Sequence, residues 1–202
     1  MTIYYTHRYK ELNSRSHELL ELAISDYIGD AVRAGELVAE MRRDASHGYD
    51  GKPFIEGFDK FSISHSDGSW AVLIGKIECG LDIQYERSCD FLGISRRFFD
   101  PEDAAVIDGA YRAGARPYED IRSDFFDLWT KREALIKAAG LSVADENCPA
   151  VALHQSAEYN GDKFYVSNVN FPGPDTLHAA ICLDATYDID EELVYKEIYV
   201  KE

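Results

Sequence analysis

The sequence predicts an α+β protein built as two similar halves. Three observations lead there. Each half offers helical periodicity first and strand patterning after it. The strand segments are short and punctuated by tight-turn dipeptides, Asp67-Gly68 and Asn160-Gly161. The length, 202 residues, holds one domain or two small ones.

In order, Ile3 to Tyr5 reads as a short strand. A helix capped by Ser14 or Ser16 runs to about Ile28, with Leu20, Ile24, Tyr27 and Ile28 inward and Gly29 as its stop. A second helix covers Ala31 to Met41, and Gly48 to Pro53 is a turn-rich loop. Strands follow at Lys60–Ser64, Trp70–Ile74 and Cys79–Tyr85. Asp100-Pro101-Glu102-Asp103 opens a helix to about Tyr111: an acid as cap, proline in the first turn, acids after it. Ala113 to Tyr118 is a loop. A helix begins at Ser123 or Asp124 and ends at Gly140. Beyond it the chain turns to β: Ala150–Tyr159 and Lys163–Asn170 flank Asn160-Gly161, Thr176–Leu183 reads as a central strand, and Leu193–Val200 as an edge strand.

Bulk properties narrow the function. Hydrophobic content of 46% with 12% aromatic is globular. No apolar run approaches the roughly 20 residues of a membrane helix. The N-terminus lacks the layout of a signal peptide, and Cys79, Cys89, Cys148 and Cys182 are scattered without C-x-x-C. Reduced thiols in a cytoplasm are the simpler expectation. A net charge of −16 argues against a nucleic-acid binder. Arg96, Arg97, Lys131, Arg132 and Lys137 gather positive charge against that field, while Asp184, Asp188, Asp190, Glu191, Glu192, Glu197 and Glu202 crowd the C-terminus.

Two pieces carry chemistry. In Cys79-Gly80-Leu81-Asp82-Ile83-Gln84, Asp82 and Gln84 share a face, away from Leu81 and Ile83. A carboxylate beside an amide oxygen makes two hard donors, suited to Mg²⁺. In the later helix, Phe125, Leu128, Trp129, Ile136 and Ala139 form an apolar stripe, with Arg132 inside it by angle. Glu133 and Lys137 stand one turn apart on its flank. A carboxylate, a guanidinium and an ammonium there can bind a metal and a phosphate together. The plainer reading is an ion pair on a solvated helix.

The order of the pieces decides between these. Gly51-Lys52-Pro53, Phe61-Ser62-Ile63-Ser64-His65-Ser66, Gly80-Leu81-Asp82-Ile83, Arg97-Phe98-Phe99 and Trp129-Thr130-Lys131-Arg132-Glu133-Ala134-Leu135-Ile136-Lys137 follow one another. This resembles the 4′-phosphopantetheinyl transferases of the Sfp type, specifically from about residue 48 to 141. The resemblance implies a pseudo-duplicated fold with the active site at the interface of two α/β halves. It divides the chain into 1–75, the side of the coenzyme A adenosine and 3′-phosphate, and 76–202, the metal and pyrophosphate side. It implies transfer of 4′-phosphopantetheine from coenzyme A to a serine of an apo acyl or peptidyl carrier protein, by a monomer. Asp82, Gln84 and Glu133 would hold Mg²⁺. Asp82, Glu133 and Lys137 would be catalytic, with Glu133 the base for the incoming serine. Lys52, Ser64, His65, Arg132 and Lys137 would contact the coenzyme, with Arg8, Lys10 and Arg15 as candidates for its 3′-phosphate. Phe98, Phe99 and the loop before the long helix would be a carrier surface, unless their apolar side chains are core.

Two positions depart from the family pattern. Gln84 stands where Glu is frequent, so the metal loses an anionic ligand. Arg132 stands where Lys is usual, a planar fork for a point donor. Other classes stay open: a non-catalytic relative that binds coenzyme A or a carrier, an unrelated Mg²⁺-dependent phosphotransferase, and an adaptor module. The second lacks any glycine-rich phosphate loop. A Ser-His-Asp hydrolase lacks the G-x-S-x-G elbow.

Overall fold

A computed structural model describes residues 1–12, 15–43, 52–142, 145, 148–152, 155–185 and 193–199. Ser14, Gly48 to Gly51 and the C-terminal acids at 188, 190, 191, 192 and 202 lie outside these.

Two four-stranded sheets and two groups of helices make a mixed α+β fold. The first sheet contains β1 (Thr2–Thr6), β2 (Lys60–Ser66), β3 (Ser69–Gly75) and β8 (Val194–Glu197), in the order β2-β3-β1-β8. The second contains β4 (Cys79–Tyr85), β5 (Ser156–Tyr159), β6 (Asp162–Asn168) and β7 (Leu177–Asp184), in the order β4-β7-β6-β5. β8 runs parallel to β1, Thr2 facing Val194, so the end of the chain returns to the first sheet. A division after residue 75 therefore separates β8 from the strand it pairs with.

Side-chain alternation stacks the layers. Tyr4, Phe61, Trp70, Val72 and Ile74 point to one face of the first sheet. There they meet Leu19, Leu20, Ala23 and Ile24 of α1 (Ser16–Ile28) and Ala34, Leu37 and Val38 of α2 (Ala31–Arg43). Ile3, Ala71 and Leu73 point the other way, onto Leu81, Ile83, Leu177, Ala179 and Ile181 of the second sheet. The second sheet turns Val166, Ala180 and Cys182 to α5 (Tyr118–Ala139). The order is helices, sheet, sheet, helix, and Asp82 lies on the α5 side.

Both expected tight turns form. Asp67 takes φ +49°, and Asn160 and Gly161 take +53° and +91°, the left-handed backbone of tight two-residue hairpins. Asp100 caps α4 (Pro101–Ala113) by accepting from Glu102 N at 2.8 Å.

The helix boundaries differ in places. α5 starts at Tyr118, before Ser123, with Pro117 at its cap position. The expected loop shrinks accordingly to residues 114–117. The α5 burial extends past one stripe, to Ile121, Phe126, Thr130, Ala134 and Leu135, because α3 (Phe91–Phe98), α4 and the second sheet all cover it. The helix α3 (Phe91–Phe98) was not expected from periodicity; Asp90 caps it by accepting from Gly93 N. Ile28 is 38% exposed rather than inward. Ser16 accepts from the Trp70 indole, while Arg15 takes the cap position without a side-chain bond.

Candidate active site at the β4–α5 contact

β4 and β2 are edge strands of their own sheets, and they meet. Edge strands carry backbone N–H groups without a ladder partner. Here serine hydroxyls of β2 accept them: Ser62 from Leu81 N at 3.0 Å, Ser64 from Ile83 N at 3.1 Å, Ser66 from Tyr85 N at 2.9 Å. The alternating serines of Phe61–Ser66 are pegs along this seam. Sequence reasoning missed that role; three serines spaced by two on a strand were its only signal.

Asp82 sits beside the seam and is 7% exposed. Ser64 donates its hydroxyl proton to Asp82 Oδ1 at 2.8 Å. The Lys137 ammonium, from α5, reaches the same oxygen at 2.8 Å and the Leu81 carbonyl at 2.9 Å. This approach depends on Gly80. A Cβ there would lie 1.9 Å from the Ala134 carbonyl oxygen, so only glycine lets the helix rest on the strand.

Glu133 lies one turn before Lys137. Burial, and then the nearby Asp82 charge, raise its carboxyl above the usual range; Lys137 and Arg132 oppose them. Gln84 gives its amide N–H₂ to Ser66 Oγ and the Tyr85 carbonyl, and its oxygen has no hydrogen-bond partner among the described residues. Asp82, Glu133 and Lys137 are thus brought together, with Gln84 next on the same strand face. Among the described residues no group of three or more His, Cys, Asp or Glu side chains forms a metal cluster. The donors present are two carboxyls and an amide oxygen, a hard set that fits a small divalent cation.

The other candidates lie elsewhere. His65 is exposed on the face of β2 opposite to Ser64, its ring 5.3 Å from Tyr9. Lys52 donates to the Glu78 carboxylate and the Cys79 carbonyl. It lines a cavity of about 420 Å³ with Phe54, Phe58, Lys60, Ala138 and Gly140, between the segment that leads into β2 and the C-terminal end of α5. Arg132 is 3% exposed and donates to the Asp145 carbonyl, while its Nε and Nη1 have no hydrogen-bond partner among the described residues. Its charge acts on the buried Asp103 carboxylate. Arg8, Lys10 and Arg15 each pair with a surface carboxylate, of Glu11, Asp67 and Glu18. Phe99 is core, stacked on Phe125 at 5.5 Å; Phe98 is half-buried, with the Arg97 guanidinium over its ring.

One network had no sequence signal. His178 on β7 faces Gln84 across the ladder. Its Nδ1 is 2.7 Å from Asp127 Oδ1 and its Nε2 is 3.1 Å from Glu86 Oε1, and Arg122 holds the second Glu86 oxygen. Burial alone lowers the imidazole pKa, but the two carboxylates outweigh it and the net shift is upward.

No family model matches the chain. Two curated proteins do resemble it. The 4′-phosphopantetheinyl transferase psf-1 of Bacillus pumilus is 27% identical over 147 residues, 69% of this chain and 53% of its own length. The 4′-phosphopantetheinyl transferase gsp of Aneurinibacillus migulanus is 34% identical over 91 residues, 45% of this chain and 35% of its own length. The chain therefore spans about half or less of these relatives. No helix among the described residues is long and apolar enough to cross a membrane. Motif order and relatives agree: the likeness of this chain is to the Sfp-type 4′-phosphopantetheinyl transferases.

Proposed function

We propose that the protein transfers 4′-phosphopantetheine from coenzyme A to a serine hydroxyl of an apo acyl or peptidyl carrier protein. The serine oxygen bonds to the β-phosphorus, the bond from that phosphorus to the bridging oxygen breaks, and adenosine 3′,5′-bisphosphate leaves. The observation that carries this reading is the meeting of Asp82, Glu133 and Lys137 where β4 and α5 touch, in a chain with two transferase relatives.

The residues divide the work. Glu133 takes the serine proton; a carboxyl raised toward neutral is the better base. Lys137 pairs with phosphoryl oxygens as a mobile point charge. Ser64, whose proton is already given to Asp82, serves by orienting that carboxylate. Lys52 and the cavity beside it receive the adenosine end, and His65 takes a phosphate from the other side of β2. Arg132, buried and bonded to the Asp145 carbonyl, ties α5 to the segment after it. Asp82, Glu133 and the Gln84 oxygen would hold Mg²⁺, which when bound supplies neutralisation of the pyrophosphate charge. The two halves act as a pseudo-duplicated pair within a cytoplasmic monomer, with the site at their interface.

Gln84 favours a second reading, a relative that binds coenzyme A or a carrier without transfer. Incubation with coenzyme A, Mg²⁺ and apo carriers of the fatty-acid, polyketide and nonribosomal-peptide kinds separates the two. A carrier heavier by one phosphopantetheine group supports the enzyme; unchanged mass with every carrier overturns it.

A further inference from the structure

We infer that Lys137 and the divalent cation of this site compete for Asp82. The inference rests on the cation-and-phosphate reading above. Its ground is the way one carboxylate oxygen is shared. Asp82 Oδ1 takes the Ser64 hydroxyl at 2.8 Å and the Lys137 ammonium at 2.8 Å. The two donors differ in freedom. Ser64 is fixed in a strand, and its oxygen also accepts from Ile83 N. Lys137 hangs on a flexible stem in the last turn of α5, its side chain 26% exposed against 9% for Asp82. The carboxylate is therefore the fixed partner and the ammonium the one that can leave.

Charge points the same way. Glu133 has no ion pair among the described residues, so the ammonium bonded to Asp82, with the Arg132 charge acting on Glu133 as well, is what offsets two carboxyl groups. With that lysine in place the site is partly neutralised, and an arriving dication meets a positive charge bonded to its own ligand. The Leu81 carbonyl gives the ammonium a second acceptor, which makes its seat a defined one. The lysine thus keeps a buried acid compensated until a stronger cation displaces it.

The test measures binding of Mn²⁺ to the full chain by the electron paramagnetic resonance of the free ion. Wild type, Lys137→Met, Lys137→Gln and Asp82→Asn are compared, with circular dichroism as the check on folding. Both lysine variants should bind Mn²⁺ about tenfold tighter or more, the size expected for removing a unit charge a few ångströms from a dication even under water-like screening. Asp82→Asn should lose most of the binding. Equal or weaker affinity in whichever lysine variant folds overturns the competition, as does absence of binding in wild type and lysine variants alike. Wild-type transfer to a carrier, followed by mass, is read separately. Transfer with no tightening defeats the competition alone; tightening without transfer to any carrier defeats the transferase reading alone.

Discussion

Gly80 and Ala134 touch so closely that the strand residue has no room for a side chain: a Cβ at Gly80 would fall 1.9 Å from the Ala134 carbonyl oxygen and 2.9 Å from the Ala138 nitrogen. Those are helix backbone atoms, which cannot step aside. Gly80→Ala must therefore push α5 off β4, and Glu133 and Lys137 move with the helix. The expected cost is about 1–3 kcal/mol of stability, as for other overpacked contacts, with a larger loss of transfer. Thermal unfolding and the carrier mass assay, run on the same sample, check both. An alanine variant with wild-type melting and activity would refute the contact.

The seam between the sheets makes a graded prediction. Ser62 accepts one backbone N–H, whereas Ser64 accepts one and donates to Asp82. Ser64→Ala leaves the Ile83 N–H without its acceptor, at about 1–3 kcal/mol, and also removes one of the two donors on Asp82 Oδ1, leaving Lys137 as the other. Urea denaturation should show Ser64→Ala less stable than Ser62→Ala. The reverse order would mean that the hydroxyl bond to Asp82 contributes little.

Glu133 and Asp82 should separate activity from folding. Burial and the Asp82 charge disfavour the ionised Glu133 side chain. A carboxyl whose folded pKa is raised contributes its stability when protonated, and that stability fades as pH rises. Glu133→Gln should thus melt at or above wild type at neutral pH while transfer falls about 100-fold or more, the usual share of a lost base. Asp82→Ala should likewise abolish transfer; full activity of that variant with Mg²⁺ would end the assignment.

His178 makes the pH dependence readable. Its folded pKa stands above the ordinary histidine value because Asp127 and Glu86 outweigh burial. For a base with a raised folded pKa, the stabilisation is complete below the unfolded value and disappears as pH climbs through the folded one. Unfolding free energy should therefore fall as pH rises from about 6.5, the ordinary histidine value, and His178→Gln should flatten that stretch of the curve. A wild-type curve that does not change there would refute the charged imidazole.

Part of this was legible from neighbours alone. Asp67 and the Asn160-Gly161 pair specified their turns because tolerance of left-handed backbone is a local property of Asp, Asn and Gly. Period-two alternation put Asp82 and Gln84 opposite Leu81 and Ile83, and four-residue spacing put Glu133 under Lys137. Those regularities need no partner, so they can be read along the chain. The motif order supplied the pairing of strand and helix as an expectation.

Tertiary structure decided the rest. That β8 returns beside β1, that serines of β2 close the free edge of β4, that Arg132 is buried while His65 faces away from Asp82: each depends on which surface arrives opposite which. An unpaired N–H or a buried guanidinium takes whatever partner packing brings within reach, and sequence separation says nothing of that. Local chemistry therefore determined most of the elements, though not α3 or the start of α5, and the residues with reactive groups; long-range packing determined which of those groups meet.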